Sequence, residues 1–292
     1  MAATAWGWAD AGLTIYSLLS SWFPGSAGGA ASTVRIYAGI NDAGTSQGKD
    51  GVIKNIQLYD INQSLIGNGG ANQGWIGSGL YKDYRISQVD NRQATFAQIF
   101  ATNDAICIPV ATITWPDGTP SAWIGDFGWH CGLEWHYGKV WISGKTPRCT
   151  WIDADHTNNI RATMLMIGWP YNDPEKSGSP SCGYPAFRAY NGGSGIVKRE
   201  GPVVGPRKKD PRLIISSIPS HNATELCLSE TSRGPDLVSL EEGVYCNMET
   251  RELLPLCGGD IITDCYDVTD KVSVQGNRET LRKSYEDVLI WG

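Results

Sequence analysis

The chain runs to 292 residues, has a net charge of −6 and is only 18% charged, and 35 glycines and 15 prolines interrupt it every few positions. Breakers at that density exclude long helices and favour short strands joined by tight turns. Clustered Lys and Arg are confined to Arg207-Lys208-Lys209 in a Gly/Pro-rich stretch, which excludes nucleic acid as the main partner.

In chain order, residues 12–23 are fairly apolar but follow Asp10, with no Lys or Arg before them. They do not read as a signal peptide, and the expected form is a mature chain behind a new Met1. No apolar run approaches the roughly 20 residues that span a bilayer, so a soluble protein with no membrane partner is expected. Residues 32–38 alternate apolar and polar side chains with period two, as a half-buried strand does, and residues 52–59 repeat the pattern. A turn-rich stretch follows through Gly67-Asn68-Gly69-Gly70. Further strands are expected at 95–101, 106–115, 122–125, 139–143, 160–168, 185–190 and 213–218. Pro116-Asp117-Gly118, Asp173-Pro174 and Asn191-Gly192-Gly193 supply turns between them. Residues 278–290 alone have helical spacing and predict a short C-terminal helix.

Two short cores recur. Val34-Arg35-Ile36-Tyr37, Ile160-Arg161-Ala162-Thr163 and Phe187-Arg188-Ala189-Tyr190 share an apolar-Arg-apolar pattern. Trp75-Ile76, Trp123-Ile124, Trp141-Ile142 and Trp151-Ile152 share another, and glycine closes three of them. Recurrent strands with Trp-Gly turns suit radial blades, and the length supplies about six four-stranded blades at ~40–50 residues each. The expected fold is therefore all-β, a six-bladed β-propeller with disulfides and a short C-terminal helix, with a β-sandwich as the alternative. It is read as one domain over 1–292, with residues 258–292 as a tail packing on it.

Eight cysteines, at 107, 131, 149, 182, 227, 246, 257 and 265, form no CxxC pair. An even, widely spaced set suits a disulfide framework better than zinc and points to a secreted chain. The last four crowd together and are expected to pair locally. Two sequons, Asn62-Gln63-Ser64 and Asn222-Ala223-Thr224, mark candidate glycosylation sites on the same secretory route.

Twelve tryptophans and twelve tyrosines exceed what a core of this size requires. Flat aromatic walls suit stacking on sugars or planar organic molecules. They are densest between Trp123 and Trp151. If residues 129–137 are extended, Trp129, Cys131, Leu133, Trp135 and Tyr137 share one face, and His130, Gly132, Glu134 and His136 the other. His130 and His136 are then hydrogen-bond donors or proton carriers, and a metal is not expected. Hydrolase motifs are absent: there is no G-x-S-x-G elbow, H-E-x-x-H or phosphate-binding glycine loop. Asp126, Glu134, Asp153 and Asp155 are the local carboxylates for acid–base chemistry.

The strand V-R-I-Y around Arg35, the strand G-V-I-K-N-I-Q-L from Gly51 and the Trp-Gly closures resemble the six-bladed fungal fucose-binding lectins. In that family each sugar site joins Arg, Glu and Trp from neighbouring blades. Arg35, Arg161 and Arg188 match the Arg-bearing strand, although no glutamate recurs at a fixed distance after them. The chain also resembles the secreted fungal hetero-Diels–Alderases of tropolone-sesquiterpenoid biosynthesis in length, aromatic richness and cysteine-bearing tail.

That second resemblance implies a cofactor-independent pericyclase joining a tropolone o-quinone methide to a humulene-type alkene. Its substrate is a small apolar or aromatic molecule, and a homodimer stays open. Trp123, Trp129, Trp135, Tyr137 and Trp151 would be walls, with Arg35, His130 and His136 as donors to the heterodiene oxygen. A secreted carbohydrate-binding lectin is the alternative, and a carbohydrate-active enzyme the third reading.

Overall fold

The computed structural model describes residues 23–40, 51–69, 74–77, 79–142, 146–171, 182–192, 210–276 and 278–292. The apolar stretch before residue 23, the turn at 173–174 and the basic cluster at 207–209 lie outside them. The sequence reading expects one domain; the chain divides into two compact units, one holding the described residues through 192 and the other those from 210.

In the first unit, β1 (Ala31–Tyr37), β4 (Tyr81–Ser87), β7 (Val110–Thr114) and β8 (Pro120–Ile124) form an antiparallel sheet in the order β4-β1-β7-β8. A second antiparallel sheet has the order β12-β11-β5-β2-β3, from β12 (Phe187–Tyr190), β11 (Met164–Gly168), β5 (Phe96–Ala101), β2 (Ile53–Tyr59) and β3 (Leu65–Asn68). Period-two alternation decides which side chains each sheet turns inward. Val34, Ile36, Tyr84, Ile86, Ile113 and Trp123 from the first share one buried cluster with Ile56, Leu58, Ile99, Leu165, Ile167 and Phe187 from the second. Trp123 stacks on Phe187 with ring centroids 5.4 Å apart, so the two sheets face each other across this core. Each such buried Leu or Ile contributes roughly 1.5–3 kcal/mol to the fold.

No propeller is present among the described residues. A blade is a meander of consecutive strands, whereas β1 lies between β4 and β7, and β5 between β2 and β11. The Trp-Ile pairs do not take equivalent places either. Trp123 fills the core, whereas Trp75 and Trp141 are exposed. The two facing sheets are compatible with the sandwich alternative.

A small sheet, β6-β10-β9, completes this unit, from β6 (Ile106–Ile108), β10 (Arg148–Ile152) and β9 (Trp135–Tyr137). Disulfide Cys107–Cys149 staples β6 to β10, and Cys131–Cys182 joins the segment before β9 to the segment before β12. The expected strand at 139–143 is absent from its described part, residues 139–142, where Ile142 makes only a bridge.

In the second unit, β13 (Arg212–Ser216) lies parallel to both β14 (Asp236–Ser239) and β20 (Asp287–Trp291). A parallel neighbour needs a crossover, and α2 (Ala223–Leu228) supplies it between β13 and β14. Asn222 caps that helix by accepting the Glu225 N–H at 2.5 Å. Hairpins then add β15 (Val244–Asn247) and β16 (Glu252–Pro255) at the far edge. Strands β17 (Cys265–Asp267), β18 (Val272–Gln275) and β19 (Arg278–Arg282) make a separate small sheet. The predicted C-terminal helix is therefore replaced by β19 and β20, the latter held by its ladder to β13.

Buried Asp236 gathers this unit. It accepts from the Met248 N–H at 2.8 Å and from the hydroxyls of Tyr245 at 2.9 Å and Tyr285 at 2.6 Å, and it pairs with Lys283 at 2.8 Å. The last four cysteines pair locally as expected, Cys227 with Cys246 and Cys257 with Cys265. Four disulfides suit an oxidising, secreted setting. Among the described residues no helix is long and apolar enough to cross a membrane.

Candidate functional site

The sequence-predicted residues fall into separate places. Residues 129–137 are not one strand, because Gly125 opens a helical turn, α1 (Asp126–His130), before β9 begins. A Cβ at Gly128 would collide with the Thr150 side chain, so this turn packs directly on β10. His130 is consequently exposed at the end of α1, whereas Glu134 and His136 are fully buried. They share no face. His136 Nδ1 lies 3.1 Å from the Tyr137 carbonyl oxygen, which fixes the ring against backbone.

The aromatic walls are packed. Trp123, Trp135, Tyr137 and Trp151 are all buried. Arg148 fills the space beside them, its guanidinium 4.0 Å over Trp129, 5.3 Å from Trp135 and 5.8 Å from Tyr137. Asp126 Oδ1 accepts from Arg148 at 3.0 Å. Burial raises the Asp126 pKa, and the neighbouring guanidinium offsets only part of that. Of the predicted walls, Trp129 alone keeps substantial exposed surface.

Other candidates are likewise tied. Arg35 makes a two-pronged pair with Asp83, at 2.6 and 2.8 Å, and lies 3.8 Å over Tyr81. Burial works against its charge, and the bonds to Asp83 and Tyr37 more than compensate. Arg161 pairs with Glu134 at 2.6 Å and donates to the Gly132 carbonyl at 2.6 Å. Asp153 accepts from the Thr157 hydroxyl at 2.5 Å, with burial raising its pKa, and Asp155 is exposed beyond it. Both sequon asparagines, Asn62 and Asn222, are exposed. Among the described residues no three His, Cys, Asp or Glu side chains are placed to hold a metal.

A different surface emerges from strand register. The side chains of the five-stranded sheet that alternate with its core residues point outward. Pairing aligns Arg188 with Met166, Met166 with Gln98, Gln98 with Gln57, and Gln57 with Asn68, one residue per strand across the whole sheet. A second row holds Tyr190, Met164, Phe100 and Asn55. Phe96 and Tyr59 are paired alongside. Met166 and Phe96 are buried, the other side chains are half-buried, and Asn68 is exposed.

The face is internally ordered. The Tyr59 hydroxyl lies 2.7 Å from Gln57 Oε1 and 3.0 Å from Gln98 Oε1, and its one proton is shared between these two acceptors. Burial raises the Tyr59 pKa and keeps it a neutral donor. Both amide nitrogens are left without a protein partner among the described residues. At one end Tyr171 stacks on Phe96 at 6.3 Å and exposed Tyr184 lies 5.4 Å from the same ring. Arg188 reaches the Tyr184 ring at 5.2 Å.

No family model and no curated protein matches the chain. Of this face the sequence reading singled out Arg188 alone, through its strand pattern. Gln57, Gln98, Asn68, Tyr59 and Tyr190 were missed, because amides and tyrosines on different strands carry no local signal until register aligns them.

Proposed function

We propose that the outward face of the five-stranded sheet binds carbohydrate and that the protein acts as a secreted carbohydrate-binding module. One observation carries this reading: the cross-strand row Arg188–Met166–Gln98–Gln57–Asn68, with the Tyr59 hydroxyl within hydrogen-bond distance of the Gln57 and Gln98 amides. Sugars present alternating hydroxyls and C–H faces. Planar amides bond the first, and Tyr and Phe rings cover the second. A sheet face meeting only water is polar throughout; these rows instead hold half-buried Met164 and Phe100 beside the amides, with Met166 and Phe96 buried beneath them.

The cycloaddition expectation has less support, since it asks for open ring faces around one hollow. Trp123, Trp135, Tyr137 and Trp151 are buried, and Arg148 lies among Trp129, Trp135 and Tyr137.

Titration of the full chain against a panel of neutral and acidic oligosaccharides tests the reading. Saturable binding is expected, with Gln57→Ala and Gln98→Ala each raising Kd about fivefold, the value of one hydrogen bond of ~1 kcal/mol. Trp129→Ala leaves Kd unchanged. Absence of saturable binding across the panel contradicts the proposal.

A further inference from the structure

We propose that the bound sugar carries a carboxylate and that Arg188 receives it, an inference that rests on the carbohydrate reading above. The three arginines of the recurrent strand pattern have different fates. Arg35 is tied to Asp83 and Arg161 to Glu134. Arg188 has no carboxylate partner among the described residues; its contact is the Tyr184 ring. Within the aligned rows of the outward face it is also the one charged side chain, the others being amides, thioethers and rings.

A half-buried guanidinium with no carboxylate partner among the described residues offers its planar fork of donors to a planar oxyanion. The ring of Tyr184 holds that fork in place and leaves its edge for hydrogen bonding. A carboxylate on a pyranose ring has the matching geometry, and the adjoining Gln98 and Gln57 amides meet hydroxyls of the rings that follow.

The row also sets a length. It crosses four strand spacings, or roughly 19 Å, the reach of about three or four linked pyranose rings. A net charge of −6 opposes a densely charged polyanion. The ligand class is thus an oligosaccharide of at least three units with one acidic ring, a uronic acid, at the β12 edge.

The test uses the full chain and two tetrasaccharides of the same linkage, one ending in a uronic acid and one wholly neutral. The acidic chain is expected to bind about tenfold tighter, the discrimination that one charge-assisted hydrogen bond supplies. Arg188→Met, which keeps the aliphatic stem, should abolish that preference, and Arg188→Lys should retain part of it. Thermal melts of both variants establish that they are folded. Equal affinity for the two sugars overturns the assignment of Arg188 and leaves the carbohydrate face standing. No binding of either overturns both. Equal capture of an acidic peptide by the same face, lost in Arg188→Met, would replace the sugar with a peptide partner and also overturns the proposal.

Discussion

Tyr59 on β2 and Gln98 on β5 meet across the outward face of the sheet, phenol oxygen 3.0 Å from amide oxygen. The same hydroxyl lies 2.7 Å from Gln57 Oε1, so a single proton is shared between two amides before any ligand arrives. Preorganisation of this kind lowers the entropic cost of binding. Tyr59→Phe keeps the ring and removes the hydroxyl. Calorimetry is expected to show Kd rising about fivefold with a larger entropic penalty, and a melting temperature close to that of the parent. Unchanged affinity would mean the amides take no part in recognition.

The Glu134–Arg161 pair makes an asymmetric prediction. Glu134 is fully buried, whereas the Arg161 side chain keeps 17% exposure. Arg161→Ala strands a buried carboxylate and is expected to cost about 3–5 kcal/mol. Glu134→Gln leaves a guanidinium that can rehydrate, and it costs less. Urea unfolding midpoints of the two variants give the order directly, and the reverse order is inconsistent with this burial.

Asp126 carries a pH signature. Its pKa is raised by burial despite Arg148, so the folded chain binds that proton more tightly than the unfolded chain does. Its contribution to stability is greatest in acid and declines as pH rises from the unfolded value of about 3.9 through the raised folded value. Asp126→Asn removes the decline. Urea midpoints of parent and variant, compared across that window, should show the difference growing as pH rises.

The disulfides differ in the loops they close. Cys107 and Cys149 lie 42 residues apart and Cys257 and Cys265 only 8. Constraint of the unfolded chain then predicts a loss of about 4 kcal/mol on replacing the first pair by alanines and about 2.5 kcal/mol for the second. Unfolding followed separately in each unit, by its own amide signals, checks the ranking.

Legibility in the sequence followed physical range. β1, β2, β5 and β7 are readable because alternation is local, although only β2 and β5 keep one face less buried, whereas β1 and β7 are buried on both faces. Residues 278–290 mislead because Leu281, Tyr285, Val288 and Leu289 mimic helical spacing, and only the ladder of β20 to β13 decides otherwise. Residues 129–137 mislead for a related reason: the approach of Gly128 to Thr150 is a contact between distant segments. The tryptophans signal burial as readily as binding, and most of the predicted walls serve burial. Arg188 was visible through its strand pattern, but its lack of a carboxylate partner among the described residues was not, since Arg35 and Arg161 have the same local pattern and are each paired with a carboxylate.

Residue-resolved amide shifts recorded while an oligosaccharide is titrated into the full chain test the central claim most directly. The account predicts shifts concentrated at Gln57, Gln98, Met166 and Arg188, on four adjoining strands of one face. Shifts gathered instead around Trp129, His130 and Arg148 would contradict it.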